Sequence, residues 1–153
     1  MRKIIGIDPG SAGGIAVVDD SGRVVEVAKM PDTPQDILAF LEGYAHGSSV
    51  AYLENVGHGM PGQSSKATAT FARHCGHLEM ALLALRIPTN TVTPQKWEKS
   101  YQLGKSSDYG KSAWKNRLKA KAQQLFPDIK VTLANADALL IAEYGRKQEI
   151  SHG

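Results

Sequence analysis

Residues 1–14 read MRKIIGIDPGSAGG, and the fold turns on how this stretch is read. Three isoleucines, Ile4, Ile5 and Ile7, form a short β-branched run that ends on one carboxylate, Asp8. A Pro9-Gly10-Ser11 turn and two more glycines, Gly13 and Gly14, follow at once. A run that is short, apolar and stopped by turn residues predicts a fully buried strand. Such a strand, delivering an acid beside small and flexible residues, suits a metal or a phosphate. An acid that only caps a tight turn is the plain alternative. Two further carboxylates arrive in comparable settings downstream and favour the ligand site.

Working outward, Gly14–Asp20 (GIAVVDD) and Arg23–Met30 (RVVEVAKM) are predicted strands joined by a Ser21-Gly22 turn. Residues 3–30 then form a three-stranded antiparallel meander. Pro31 and Pro34 break the pattern. Asp32 or Thr33 can cap a helix to about Tyr44, with Ile37, Leu38 and Leu41 on its buried face. A fourth strand, Val50–Glu54 (VAYLE), again ends on an acid, and the glycine-rich residues 55–65 read as a loop. Lys66–Leu85 carries a helical stripe at Phe71, Cys75, Leu78, Leu82 and Leu85. Its Ala69, Ala72 and Gly76 form a small-residue face that permits close approach by another element.

Thr89–Val92 is a short fifth strand, and Thr93 with Pro94 opens a short helix. The polar residues Gly104–Gly110 are expected to be mobile without a ligand. Lys111–Phe126 is a basic helix stopped by Pro127, and Asn135 is expected to cap a last helix ending near Gly145. The expected organisation is one domain over residues 1–147 and a short tail, 148–153. The fold class is α/β: a five-stranded mixed sheet, three antiparallel strands plus two parallel, flanked by helices on both faces. A right-handed crossover between strands one and four makes them parallel neighbours. Asp8 and Glu54 then lie side by side on the edge where α/β sheets bind ligands.

Composition narrows the classes. The 153 residues can bury roughly two-thirds of their unfolded surface, and 42% hydrophobic content is ordinary for a soluble chain. No run approaches the ~18 consecutive apolar residues of a membrane span, and the N-terminus enters a strand with no signal-type segment. A single cysteine, Cys75, excludes an internal disulfide and fits a reducing compartment. A cytoplasmic protein is expected, nucleoid-associated in a bacterium or virus-encoded. The net charge of +3 is unevenly placed: residues 96–121 carry eight basic side chains against Glu98 and Asp108. Trp97, Tyr101, Tyr109 and Trp114 are interleaved with them. Cations with interleaved aromatics suit a polyanion; a solvated helix face with aromatic anchors in the core is the alternative.

Asp137 is the third acid, early in the last helix among small and apolar residues, where the helix dipole favours an anion. Capping its own helix is its structural alternative. Three acids from two strand ends and a helix start cannot be packed together as bare anions; one pKa rises strongly or a cation is needed. Oxygen-only ligation selects Mg²⁺ or Mn²⁺. Two such ions about 4 Å apart can activate a water and stabilise a leaving oxyanion. With the basic helix, this points to a metal-dependent nuclease.

IIGIDPGSAGGIAVVD, then YLE after a crossover, then ADALLIAEYG near the C-terminus resembles the RuvC-type Holliday junction resolvases of the RNase H-like superfamily. The resemblance runs from about Lys3 to Tyr144, with VTPQKW and the basic helix matching more loosely. It implies an RNase H-like fold and a homodimer that nicks four-way branched DNA symmetrically, without a membrane. It also implies two Mg²⁺ per site, with Mn²⁺ able to substitute. Asp8 would bridge both metals, Glu54 would complete one site and Asp137 the other. Lys115 matches the lysine beside the scissile phosphate, with Lys111 its rival. His58 and Met60, in the loop after Glu54, match residues that probe the junction centre. The expected DNA-binding set is His58, Met60, Lys66, Lys96, Lys99, Lys105, Lys111, Lys115 and Lys119.

The chain departs from the family at one corner. Where the family has a fourth acid or a histidine one turn before the last aspartate, this sequence has Ala134 and Leu133. Asn135 points to the wrong face and reads as a cap. Weak second-metal binding or water in place of the ligand would each account for the gap, and a histidine from elsewhere could substitute. His74 and His77, at i and i+3, lack an evident third ligand. The gap supports an alternative of the same fold, a catalytically weak junction-binding or RNA-processing protein. A sugar-kinase-like ATPase, suggested by GIDPGSAGG, needs twice the length and a second phosphate loop.

Overall fold

The first strand, β1 (Lys3–Asp8), lies at the centre of a five-stranded sheet, which is why it is apolar on both faces. The computed structural model describes residues 1–57 and 62–152; His58 and Met60 lie outside them. β2 (Gly14–Asp19) and β3 (Val24–Lys29) continue from β1 as the antiparallel meander. β4 (Ser49–Glu54) and β5 (Thr89–Val92) extend the other side in parallel, giving the order β3-β2-β1-β4-β5. The parallel register pairs Ile7 with Leu53. Asp8 and Glu54 therefore stand one step beyond the same ladder rung, at the carboxyl edge.

The two-residue period of the strands sorts their side chains into two cores. Ile5, Ile7, Ile15, Val17, Ala51 and Leu53 meet α1 (Pro34–Glu42) and α2 (Ser65–Ala84). Ile4, Ala16, Val18, Val50 and Tyr52 meet α3 (Pro94–Lys99), α4 (Lys111–Leu125) and α5 (Ala136–His152) on the opposite face. Each fully buried isoleucine contributes about 1.5–3 kcal/mol of apolar burial. The mixed sheet with helices on both faces is the one expected.

Three local expectations need correction. Leu38 is 37% exposed, and α1 buries only Ile37 and Leu41; a nine-residue helix presents too narrow a stripe to bury all three. Residues 148–152 are not a tail, because α5 continues to His152. Gly145 reads as a helix stop in sequence, yet its missing side chain makes room for the Tyr52 ring, whose Cδ1 would lie 2.5 Å from a Cβ there. Asn135 is not the N-cap: Thr132 Oγ1 accepts from the Asn135 N–H, while Asn135 Oδ1 accepts from the Thr132 N–H. This is a capping box with Thr132 as the cap and Asn135 three residues on. Residues 104–110 hold a 3-10 turn, Ser106–Asp108, beside which Arg117 stacks on the Tyr109 ring at 4.8 Å.

Candidate active site

Packing of α5 on β1 places the third acid. Gly6, mid-strand in β1, faces the α5 backbone so closely that a Cβ would lie 2.8 Å from the Ala142 Cα and would collide with the Ala138 carbonyl oxygen. Only glycine allows this approach. It carries Asp137, next to Ala138, over the carboxyl edge where Asp8 and Glu54 end their strands.

The electrostatics separate these acids from an ordinary turn-capping aspartate. Asp19 also ends a strand, but its Oδ1 accepts from the Ser21 hydroxyl and from the Ser21 and Arg23 N–H groups. Those bonds, the Ser21 hydroxyl first, hold it below the usual carboxylate range. Asp8 behaves in the opposite way. Burial first, then the charges of Asp137 and Glu54 and a shared hydrogen bond with Glu54, push it up to about 9. Burial, followed by Glu54 and Glu98, raises Asp137 to about 7. Glu54 is also raised, mainly by burial, against bonds from Trp97 and Asp8 that lower it. The Lys115 ammonium pulls both Asp8 and Asp137 down, so it stands near both.

A cavity of about 820 Å³ opens at this edge. Asp8, Asp137, Lys115, Lys66 and His74 line it, and Leu133 borders it. Burial, and then His77, holds His74 below the usual imidazole range, and its Nε2 has no hydrogen-bond partner among the described residues. Among those residues no three acid, histidine or cysteine side chains close into a ready-made metal cage. The donor chemistry nevertheless fits a hard divalent cation. The carboxylates are desolvated and mutually repelling, and Mg²⁺ commonly takes one or two carboxylates, completing its shell with water and phosphate oxygens.

Of the remaining candidate cations, Lys111, Lys115 and Lys119 recur every fourth residue along one face of α4. Lys96 turns elsewhere, into a separate cleft with Tyr52, Asn90 and Gln148. Lys99 and Lys105 are exposed. The tryptophans among these cations are not free to stack on bases. Trp97 is fully buried and donates its indole N–H to Glu54 Oε2 at 2.6 Å. Trp114 donates to Glu98 Oε1 at 3.1 Å. Glu98 is thus a fourth carboxylate at the periphery, which in the sequence stands out only as one acid within the basic block. No local signal joins it to the site, because its partners come from distant segments.

No family model matches this chain, and no curated protein matches it in sequence. Its shape does find relatives among solved structures. The T. thermophilus RuvC in complex with a Holliday junction substrate superposes with a TM-score of 0.69 at 16% identity, covering 97% of this chain and 96% of that one. A second Thermus thermophilus RuvC structure gives 0.64 at the same identity and coverage. This protein therefore has the RuvC-like, RNase H-type fold that its opening strand and ordered acids resemble.

Proposed function

We propose that the chain is a structure-selective DNA endonuclease that resolves four-way junctions by metal-dependent phosphodiester hydrolysis. The observation that carries this reading is the gathering of Asp8, Glu54 and Asp137 beside Lys115 at one edge of the RuvC-like sheet. A RuvC of the same fold is known with a Holliday junction bound, which supports branched DNA as the substrate. Asp8, Glu54 and Asp137 would hold one or two Mg²⁺, with Mn²⁺ a substitute. The metal supplies Lewis acidity for attack by water and charge for the leaving oxygen. Lys115 orients the phosphodiester and offsets its charge. Lys111 and Lys119 track the backbone on either side, and Lys66 reaches the same cavity from α2.

Two symmetric cuts call for two copies of the site, and α2 offers a face for pairing. Ala69, Ala72 and Gly76 are exposed, and a Cβ on Gly76 would meet nothing within 4 Å. Met80 and Leu83, 62% and 71% exposed, continue the same stripe. A homodimer across this face accounts for apolar side chains left in water. No helix among the described residues is long and apolar enough to cross a membrane.

A second reading rests on Ala134 and Leu133, which supply no fourth ligand: a junction-binding or RNA-processing protein with weak catalysis. One experiment separates the two. A synthetic four-way junction is incubated beside linear and Y-form DNA, with and without Mg²⁺. Symmetric nicks in the junction alone, dependent on metal, support the resolvase. Tight junction binding without nicking favours the second reading, and equal cutting of linear duplex overturns junction selectivity.

A further inference from the structure

We propose that Trp97 is a positioning residue for Glu54, its indole N–H holding that carboxylate in the orientation that receives a divalent cation. The inference rests on the nuclease reading above and assigns a role to a side chain outside its acids. Trp97 Nε1 donates to Glu54 Oε2 at 2.6 Å, with the whole indole buried. A buried indole N–H needs an acceptor, and a carboxylate gives the strong, charge-assisted kind of bond. A carboxylate has about four lone-pair sites, so this bond leaves capacity for a metal.

The indole is itself clamped. Thr93 caps α3, its Oγ1 accepting from the Lys96 N–H at 3.3 Å. Tyr101 meets the Trp97 ring edge-on at a centroid distance of 6.4 Å and 76°. The Tyr101 hydroxyl donates to the Leu140 carbonyl in α5, three residues beyond Asp137. A continuous path thus joins the acid on β4 to the helix that carries Asp137. Glu98, the next residue along α3, takes the Trp114 N–H beside Lys115. Core filling alone would be served by phenylalanine at 97 and would need no N–H.

The test compares wild-type protein with Trp97→Phe, which keeps an aromatic ring and removes the donor. Mn²⁺ binding is followed by titration calorimetry and paramagnetic resonance without DNA. Loss of a partner that orients a metal ligand typically weakens metal binding about 10–100-fold. The Mn²⁺ dissociation constant should therefore rise at least tenfold in Trp97→Phe, while metal-free junction binding stays within twofold. In a second measurement, the Trp97 indole ¹H–¹⁵N resonance is recorded in wild type and in Glu54→Gln. It should shift when the acceptor loses its charge, and this readout needs neither metal nor activity. An unchanged dissociation constant in folded Trp97→Phe, or an indole resonance indifferent to Glu54→Gln, overturns the proposal. Failure of the wild type to bind Mn²⁺ overturns the nuclease reading and this proposal with it; binding by the wild type with no difference in the variant overturns this proposal alone.

Discussion

Gly6 in β1 and Ala138 in α5 touch backbone to backbone, and that contact sets the height of Asp137 above Asp8. The first expected outcome concerns Gly6→Ala. Its methyl group has no flexible neighbour to push aside, since the nearest atoms are the main chain of Ala138 and Ala142. Overpacking of this kind costs about 1–3 kcal/mol and sometimes more. Urea unfolding should show a loss of about 3 kcal/mol. The folded fraction should also nick more slowly, because α5 and its acid are lifted from the edge.

The raised acids make metal-free stability depend on pH in a definite direction. Asp8 ionises near its ordinary 3.8 when unfolded and at about 9 when folded. Between those values the folded state holds a proton that the unfolded state has lost. Stability contributed by protonated Asp8 is therefore complete below about 4 and falls as pH rises toward 9. Asp137, raised to about 7, acts in the same sense over a narrower window. Melting curves in EDTA should fall across pH 4–9 in wild type and less steeply in Asp8→Asn. At pH 8 Mg²⁺ should raise the wild-type melting temperature and leave Asp8→Asn nearly unchanged.

What the sequence discloses and what it withholds divides along physical lines. β1 is legible because a buried central strand must be apolar on both faces and its acid falls where turn residues begin. The alternation of GIAVVD and VAYLE reports burial through backbone geometry alone. Leu38 misleads because three apolar residues on a short helix do not say how wide the groove beneath it is. Gly145 misleads because close packing against Tyr52 and a helix stop ask for the same residue. The role of Trp97 is hidden for a different reason: its acceptor lies 43 positions earlier, and only the tertiary fold brings them together.

Lys115 should act on rate more than on binding. It is the cation that lowers both Asp8 and Asp137, so its charge is felt at the centre of the cavity. Removing a preorganised charge from such a site typically costs about 10²–10³ in rate. Lys115→Ala should show that loss in single-turnover nicking. One phosphate contact changes the salt slope of binding by only about 1, and Lys119→Ala should show that slope change with little loss of rate.

Leu83→Arg tests the proposed pairing face without disturbing the core. Leu83 is 71% exposed within its own chain, so a charge there should leave the melting temperature within a few degrees. If α2 pairs with a second copy, the charge is buried against apolar side chains and the dimer is lost. Light scattering should then give the 16.5 kDa of one chain and the wild type twice that mass. A wild type that stays at one chain's mass on junction DNA would remove the basis for symmetric cutting.

Ala134→Asp asks whether the empty corner limits the site. Position 134 precedes Asp137 by three residues and lies inside the turn that Thr132 caps, so the two side chains share a helical face. A carboxylate there adds an oxygen ligand next to Asp137 and also another like charge. The two consequences have opposite signs under different conditions. Without metal, the extra anion should raise the Asp137 pKa further and lower the melting temperature at pH 8. With Mg²⁺, the added ligand should reduce the concentration needed for half-maximal nicking by about tenfold, in line with the effect of completing a metal's surroundings. A variant that is destabilised without metal and gains nothing with it would show that water or DNA already completes the site of the natural chain, and that Ala134 is no deficit.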